Sequence, residues 1–277
     1  MTDSFPAPVV DADGVARYRD IPVVQIRGFR PVHLDLHVPP GPGHRPVIAW
    51  IHGGAFWEGS RLGLPVTLSD LRPPAFHDRL LARGYAVADL DYRLSGEAVF
   101  PAQIEDVAAA LAWLAACAGG LGLDVERFAT WGESAGAALA ALAALDQDSG
   151  VRISAVVDWY GRSDFTDSRA AAMMPGGPIY QLLDGGRPEG LQARARAASP
   201  LHQVHAGAPP FLIMHGTADT EVPYFHSEKL AAALRAVGVR ADLVPVEGAS
   251  HVLQGVGDIG HLVEASLDFL DEVLPRR

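Results

Sequence analysis

The chain has 277 residues, of which 49% are hydrophobic, 20% charged and 8% aromatic. That length and apolar content support a sizeable buried core and exclude a disordered or collagen-like chain. With 22 Lys and Arg against 33 Asp and Glu, the formal charge is −11. Phosphate-driven nucleic-acid binding therefore lacks its electrostatic term, and a small-molecule partner suits the balance better.

The only cysteine, Cys117, can form neither an intrachain disulfide nor a multi-cysteine metal site. The N-terminal MTDSFPAPVVDADG lacks the basic and apolar regions of a secretory signal. The longest apolar run, Val107 to Ala118, is 12 residues against the ~20 that span a bilayer. These features predict a soluble, cytoplasmic protein with no membrane partner; the oligomeric state is not legible.

In chain order, Pro22–Ile26 and Val32–Val38 read as antiparallel strands; in the second, Leu34, Leu36 and Val38 share one face. A Pro/Gly-rich stretch, Val38 to Pro46, then breaks the chain. After it come short apolar runs without alternation, the pattern of strands buried on both faces: Val47–Ile51, Ala86–Leu90, Phe128–Trp131, Ile153–Val157 and Phe211–Met214. Ala241–Val246 is strand-like too.

Helical spacing lies between the runs. Pro101 opens a helix carrying Ile104, Val107, Leu111 and Leu114, which Gly119-Gly120 is expected to stop. AALAALAAL follows Gly136, and Ser227 is expected to cap a helix with Leu230, Leu234 and Val237, closed by Gly238. A last helix aligns Ile259, Leu262, Val263, Leu267, Leu270 and Leu274. The alternation implies an α/β fold with a mostly parallel sheet, antiparallel N-terminal strands and helices on both faces. Residues 162–209, rich in Gly, Pro and Ala, read as an excursion from a single domain 1–277, a small lid of short helices.

Two motifs carry chemistry. Gly132-Glu133-Ser134-Ala135-Gly136 sits between a strand and a helix, where the serine occupies a tight turn and the flanking glycines let backbones approach. His52-Gly53-Gly54-Ala55-Phe56-Trp57 directly follows a strand; small residues there let the chain turn N–H donors inward, toward the negative charge that acyl transfer builds on a carbonyl oxygen.

Together these motifs resemble α/β-hydrolase-fold serine esterases of the hormone-sensitive-lipase-like and bacterial feruloyl-esterase-like group, over nearly everything from Val47 to the C-terminus. The resemblance implies Ser134 as nucleophile and the N–H groups of Gly54, Ala55 and Ala135 as oxyanion donors. Gly53 shapes the turn, His52 is structural, Glu133 supports the serine, and Ala55 replaces the usual third glycine. The family's acid loop matches His215-Gly216-Thr217-Ala218-Asp219, giving Asp219, and its histidine position matches His251 in Glu247-Gly248-Ala249-Ser250-His251. His251 would move the proton and Asp219 would orient the ring. The Asp91-Tyr92-Arg93 segment is expected to be structural, with Arg93 bracing neighbouring loops.

Rivals remain within the sequence. Asp164 competes with Asp219, and His226 competes with His251. His202 and His205 have metal-like spacing but no suitable third ligand, so no metal or organic cofactor is expected. Trp57, Tyr160 and Tyr224 are the expected substrate contacts, with Phe56, Trp159, Met173, Met174, Tyr180 and Phe225 as further lining. The expected activity is hydrolysis of small carboxylic esters, with short acyl groups favoured because only 51 residues precede His52, leaving little room for a large cap. The alternatives are an arylformamidase-like amide hydrolase and, in a different class, a non-catalytic binder on the same fold.

Overall fold

A computed structural model describes residues 7–167, 175–184 and 189–274. Its nine strands are β1 (Val9–Val10), β2 (Ala16–Val24), β3 (Val32–Val38), β4 (Arg45–Ile51), β5 (Ala86–Leu90), β6 (Leu123–Glu133), β7 (Ile153–Trp159), β8 (Phe211–Gly216) and β9 (Ala241–Val246). They form one sheet in the order β1-β2-β3-β5-β4-β6-β7-β8-β9. The first three strands and the β3–β5 pairing are antiparallel, and β5 through β9 run parallel.

The helices are α1 (Val66–Ser69), α2 (Phe76–Ala82), α3 (Ala102–Leu121), α4 (Ala135–Leu145), α5 (Pro178–Leu182), α6 (Leu191–Ala197), α7 (Phe225–Ala236) and α8 (Gly260–Val273). The unalternating strands are covered on both faces. In β4, Val47, Ala49 and Ile51 enter one core with Leu111, Leu139 and Leu234 from α3, α4 and α7. Ile48 and Trp50 enter the other with Phe76, Leu80 and Leu267 from α2 and α8. Burial on both sides leaves no polar face to mark a period of two.

Three expectations move. The strand expected at Pro22–Ile26 is β2, Ala16–Val24, preceded by the short β1; the pairing of β2 with β3 carries register irregularities between Tyr18 and Ile21 and between Pro22 and Val24, which break a strict alternation. Gly119-Gly120 does not stop α3, which runs to Leu121 and ends at Gly122 in the left-handed conformation (φ 67°). Ser227 does not cap α7 but lies inside it, buried. Its hydroxyl is turned to His215 on β8.

Among the described residues α3 is the one helix long and apolar enough to cross a bilayer, longer than the uninterrupted apolar run suggested. Here it lies along the sheet with Val107, Ala110, Leu111 and Leu114 in the core. Its buried Asp106 pairs with Arg93 at 2.8 Å. The excursion after β7 carries α5, α6 and a 3-10 turn at Pro200–His202. Residues 168–174 and 185–188, with Met173 and Met174, lie outside the described residues.

Candidate active site

The sheet order reverses between β4 and β6: the chain leaves β4 toward β5 and later returns to β6 on the opposite side. Loops leaving the carboxyl ends of two such strands diverge and open a crevice. Ile51 pairs with Gly132, Glu133 with Trp159, and Gly216 with Val246. This register brings the loops after β4, β6, β7, β8 and β9 to one edge.

Ser134 stands alone between β6 and α4 with φ 51° and ψ −115°, a conformation that costs free energy for any residue with a Cβ. The neighbours hold it there. Its N–H donates to the Trp159 carbonyl at 2.9 Å. A Cβ at Gly132 would overlap the Gly136 carbonyl, and one at Gly136 would overlap the Ile51 carbonyl. Only glycine permits this turn.

Ser134 Oγ lies 2.9 Å from His251 Nε2, and His251 Nδ1 lies 2.6 Å from Asp219 Oδ2. Three residues predicted from distant motifs thus form one hydrogen-bonded chain. Asp219 Oδ1 accepts the N–H groups of Glu221 and Val222, both at 2.9 Å. Burial would raise the Asp219 pKa, but the His215 and His251 contacts outweigh it and hold the carboxyl well below its usual range. Burial would depress His251, yet Asp219, with Glu221 and Glu133, raises it.

The His52 loop faces this chain through Glu133. The Gly53 N–H donates to Glu133 Oε1 at 2.7 Å, and a side chain at Gly53 would overlap that carboxylate. Burial raises the Glu133 pKa, with the Gly53 N–H opposing. Gly54, Ala55 and Phe56 all take positive φ, 98°, 54° and 63°. Among the described residues, the N–H groups of Gly54, Ala55 and Ala135 donate to no protein acceptor. His52 is structural in its contacts: Nδ1 donates to the Gly53 carbonyl at 2.7 Å, and the ring stacks on Tyr92 at 4.3 Å. The Tyr92 hydroxyl donates to the carbonyls of His52 and Gly53.

The rivals sit elsewhere. Asp164 accepts from the N–H and hydroxyl of Thr166 and faces Lys229 and His202 at 3.7 Å. His226 Nε2 accepts from Arg162 at 3.0 Å. His205 Nδ1 accepts the Gly207 N–H. Arg93 grips Asp106 through Nε and Nη2, both at 2.8 Å. Of the expected substrate contacts, Trp57 is 47% exposed on the loop after Ala55. Tyr224 is half-buried against the His215 ring. Tyr160 is buried, its ring edge-on to His251 at 5.3 Å. Two residues with contacts at this site carry no motif: Ser227, on His215, and Thr67, on the His251 turn.

The sheet order, the strained strand–serine–helix turn and the loops gathered at the carboxyl edge define an α/β-hydrolase fold. Within that class the chain belongs to the BD-FAE family, which matches residues 34–234. It is 30% identical over 268 residues to Esterase LipQ of Mycobacterium tuberculosis, a match covering 90% of this chain and 61% of that protein. Butyrate-bound Est2, a thermophilic esterase from the Planctomycetes species Thermogutta terrifontis, is 27% identical with a TM-score of 0.67, covering 89% of this chain and 92% of that one. A truncated carbohydrate esterase from gut microbiota shares the fold at 22% identity, with a TM-score of 0.79 over 98% of this chain and 100% of that one. The chain spans between 52% and 61% of the length of the curated relatives LipQ, LipC and LipM.

Proposed function

We propose that this chain is a serine carboxylesterase hydrolysing small esters with short acyl groups. The observation that carries the reading is the unbroken chain of hydrogen bonds from Ser134 Oγ through the His251 imidazole to Asp219. As Oγ attacks the acyl carbonyl, neutral His251 takes its proton, and Asp219 stabilises the imidazolium. The carbonyl oxygen becomes an oxyanion facing the N–H groups of Gly54, Ala55 and Ala135. The bond to the alcohol then breaks, His251 returns the proton to the departing oxygen, and the acyl group stays on Ser134. A water deprotonated by His251 then attacks the acyl carbon, the bond to Ser134 Oγ breaks, and His251 returns the proton to Oγ as the carboxylic acid leaves. No metal or organic cofactor enters these steps.

The butyrate-bound relative supports a short acyl group, as does Ala55, whose methyl narrows the loop where a third glycine would leave space. Trp57 and Tyr224 are the contacts proposed for the substrate, with Tyr160 behind them against His251. The excursion 162–209 is the proposed lid.

The test is hydrolysis of p-nitrophenyl acetate, butyrate and decanoate by the wild type and Ser134→Ala, with N-formylkynurenine as an amide comparison. Acetate and butyrate should be cleaved fastest, and Ser134→Ala should be inactive while folded. Unchanged turnover in that variant removes the nucleophile. Preference for decanoate removes the short-acyl reading, and preference for N-formylkynurenine selects an arylformamidase. A tightly bound ligand with no turnover and no fluorophosphonate labelling of Ser134 makes the chain a binder.

A further inference from the structure

We propose that His215 and Ser227 act as positioning residues behind Asp219, a relay that aims the carboxylate and tunes the basicity of His251. The inference rests on the triad reading above.

His215, near the end of β8, has no solvent exposure, and Ser227 is 1% exposed within α7. His215 Nδ1 lies 2.6 Å from Ser227 Oγ. Its Nε2 lies 2.7 Å from the Val222 carbonyl and 3.2 Å from Asp219 Oδ2. A carbonyl and an ionised carboxylate can only accept, so Nε2 carries the ring proton. Nδ1 then presents a lone pair, and the Ser227 hydroxyl donates to it. That hydroxyl makes no other hydrogen bond among the described residues. Its effect is to anchor the ring so that Nε2–H, bonded to the Val222 carbonyl, lies beside Asp219 Oδ2.

The consequence runs forward along the chain. Asp219 Oδ1 is occupied by two backbone N–H groups, and Oδ2 is bonded to His251 Nδ1, with His215 Nε2 beside it at 3.2 Å. A carboxylate held at both oxygens cannot rotate, so the His251 ring is aimed. The His215 donor also takes up part of the carboxylate charge. Without it Asp219 would favour the His251 imidazolium more strongly, and the neutral base would appear only at higher pH. The surrounding charged and titratable groups are Asp158 on β7 near His215, the buried Arg162 near Asp219, Glu133 and Glu221 near His251, and the rings of Tyr160 and Tyr224. An aliphatic side chain would fill the position of His215 without needing three polar partners. A satisfied buried polar network adds definition of geometry more than stability.

The experiment is the pH profile of kcat/KM for a short p-nitrophenyl ester with the wild type, Ser227→Ala and Ser227→Thr. In Ser227→Ala the ring loses its anchor: the acid limb should rise by about half a pH unit and kcat fall about three- to tenfold at unchanged KM. The downfield proton resonance of His251 Nδ1–H should move with it. Ser227→Thr keeps the donor and should restore the limb. In His215→Gln, whose amide can donate without a tautomer, adding Ser227→Ala should move the limb no further. A Ser227→Ala limb on the wild-type curve, a Ser227→Thr limb displaced equally far, or an additive shift in the double variant overturns the relay. Fluorophosphonate labelling separates the two failures. If Ser134 of the wild type is unlabelled, the triad reading fails; if it is labelled and the limbs coincide, only the relay fails.

Discussion

The hydroxyl of Thr67 donates a 2.7 Å hydrogen bond to the carbonyl of Val252, tying α1 to the turn that carries His251 across 185 residues of chain. That turn is strained. Val252 has φ 53° and ψ 26°, and Leu253 has φ 57°, a left-handed conformation that is especially unfavourable for a β-branched residue. Such backbone persists only where its surroundings fix it. Here the Ser250 N–H bonds to the Gln254 carbonyl, the Leu253 N–H bonds to the Ser250 carbonyl, and Leu253 is buried.

Thr67→Val keeps the shape of the side chain and removes the donor. Its expected effect is a fall in kcat/KM of about three- to tenfold, roughly the weight of one hydrogen bond, with the loss in kcat rather than KM. Steady-state kinetics on a short ester checks this. A variant as active as the wild type would mean that the turn holds His251 without help from α1.

Glu133 governs the other side of the serine. Its carboxylate is the acceptor for the Gly53 N–H, so it sets where the following N–H groups of Gly54 and Ala55 point. Glu133→Ala leaves that N–H buried without an acceptor and lets the loop shift. Acylation should slow by about ten- to a hundredfold, short of the full loss of an oxyanion donor. Glu133→Gln, whose amide oxygen still accepts, should fall between. The rate of fluorophosphonate labelling reads acylation directly; equal rates in wild type and Glu133→Ala would detach this carboxylate from the loop.

The parts of this site that the sequence makes legible are those that a local constraint writes into it. Gly132 and Gly136 are readable because the turn around Ser134 tolerates no Cβ at either position. The unalternating runs of β4, β5 and β8 are readable because both faces are buried. Ser227 is misread as a cap because a serine beside a helical pattern normally serves the backbone next to it, whereas here it serves His215 on another element. Thr67 carries no signal at all. Its partner is a carbonyl, which any residue supplies, and only the fold brings the two together.

The same distinction separates two glycines in their response to alanine. A Cβ at Gly136 would overlap the Ile51 carbonyl, while a Cβ at Gly119 meets nothing within 4 Å. Gly136→Ala should therefore push α4 away from β4 and cost about 4 kcal/mol or more. Gly119→Ala, inside α3, should gain about 0.5–1 kcal/mol. Urea unfolding of both variants measures the contrast. A Gly136→Ala protein as stable as the wild type would show that α4 can move without loss.

His226 predicts how stability responds to acid. Its ring has no solvent exposure and its Nε2 accepts from Arg162 at 3.0 Å. Burial, and then the Arg162 charge, lower its pKa from 6.5 to about 3. Below about pH 6.5 the unfolded chain therefore binds a proton that the folded chain refuses until about pH 3, so this residue makes stability fall as pH drops through that window. Between pH 6.5 and 5 the loss is about 2 kcal/mol. His251 and His77, whose pKa values are raised, work in the opposite sense: their contribution is complete at low pH and disappears as pH rises through their folded values. Replacing His226 isolates its term from theirs. In His226→Gln the amide oxygen can accept from Arg162 and nothing titrates. The urea midpoint at pH 5, relative to that at pH 7, should be higher in the variant than in the wild type, and an equal pH dependence in both proteins would mean that His226 is protonated in the fold as readily as in the unfolded chain.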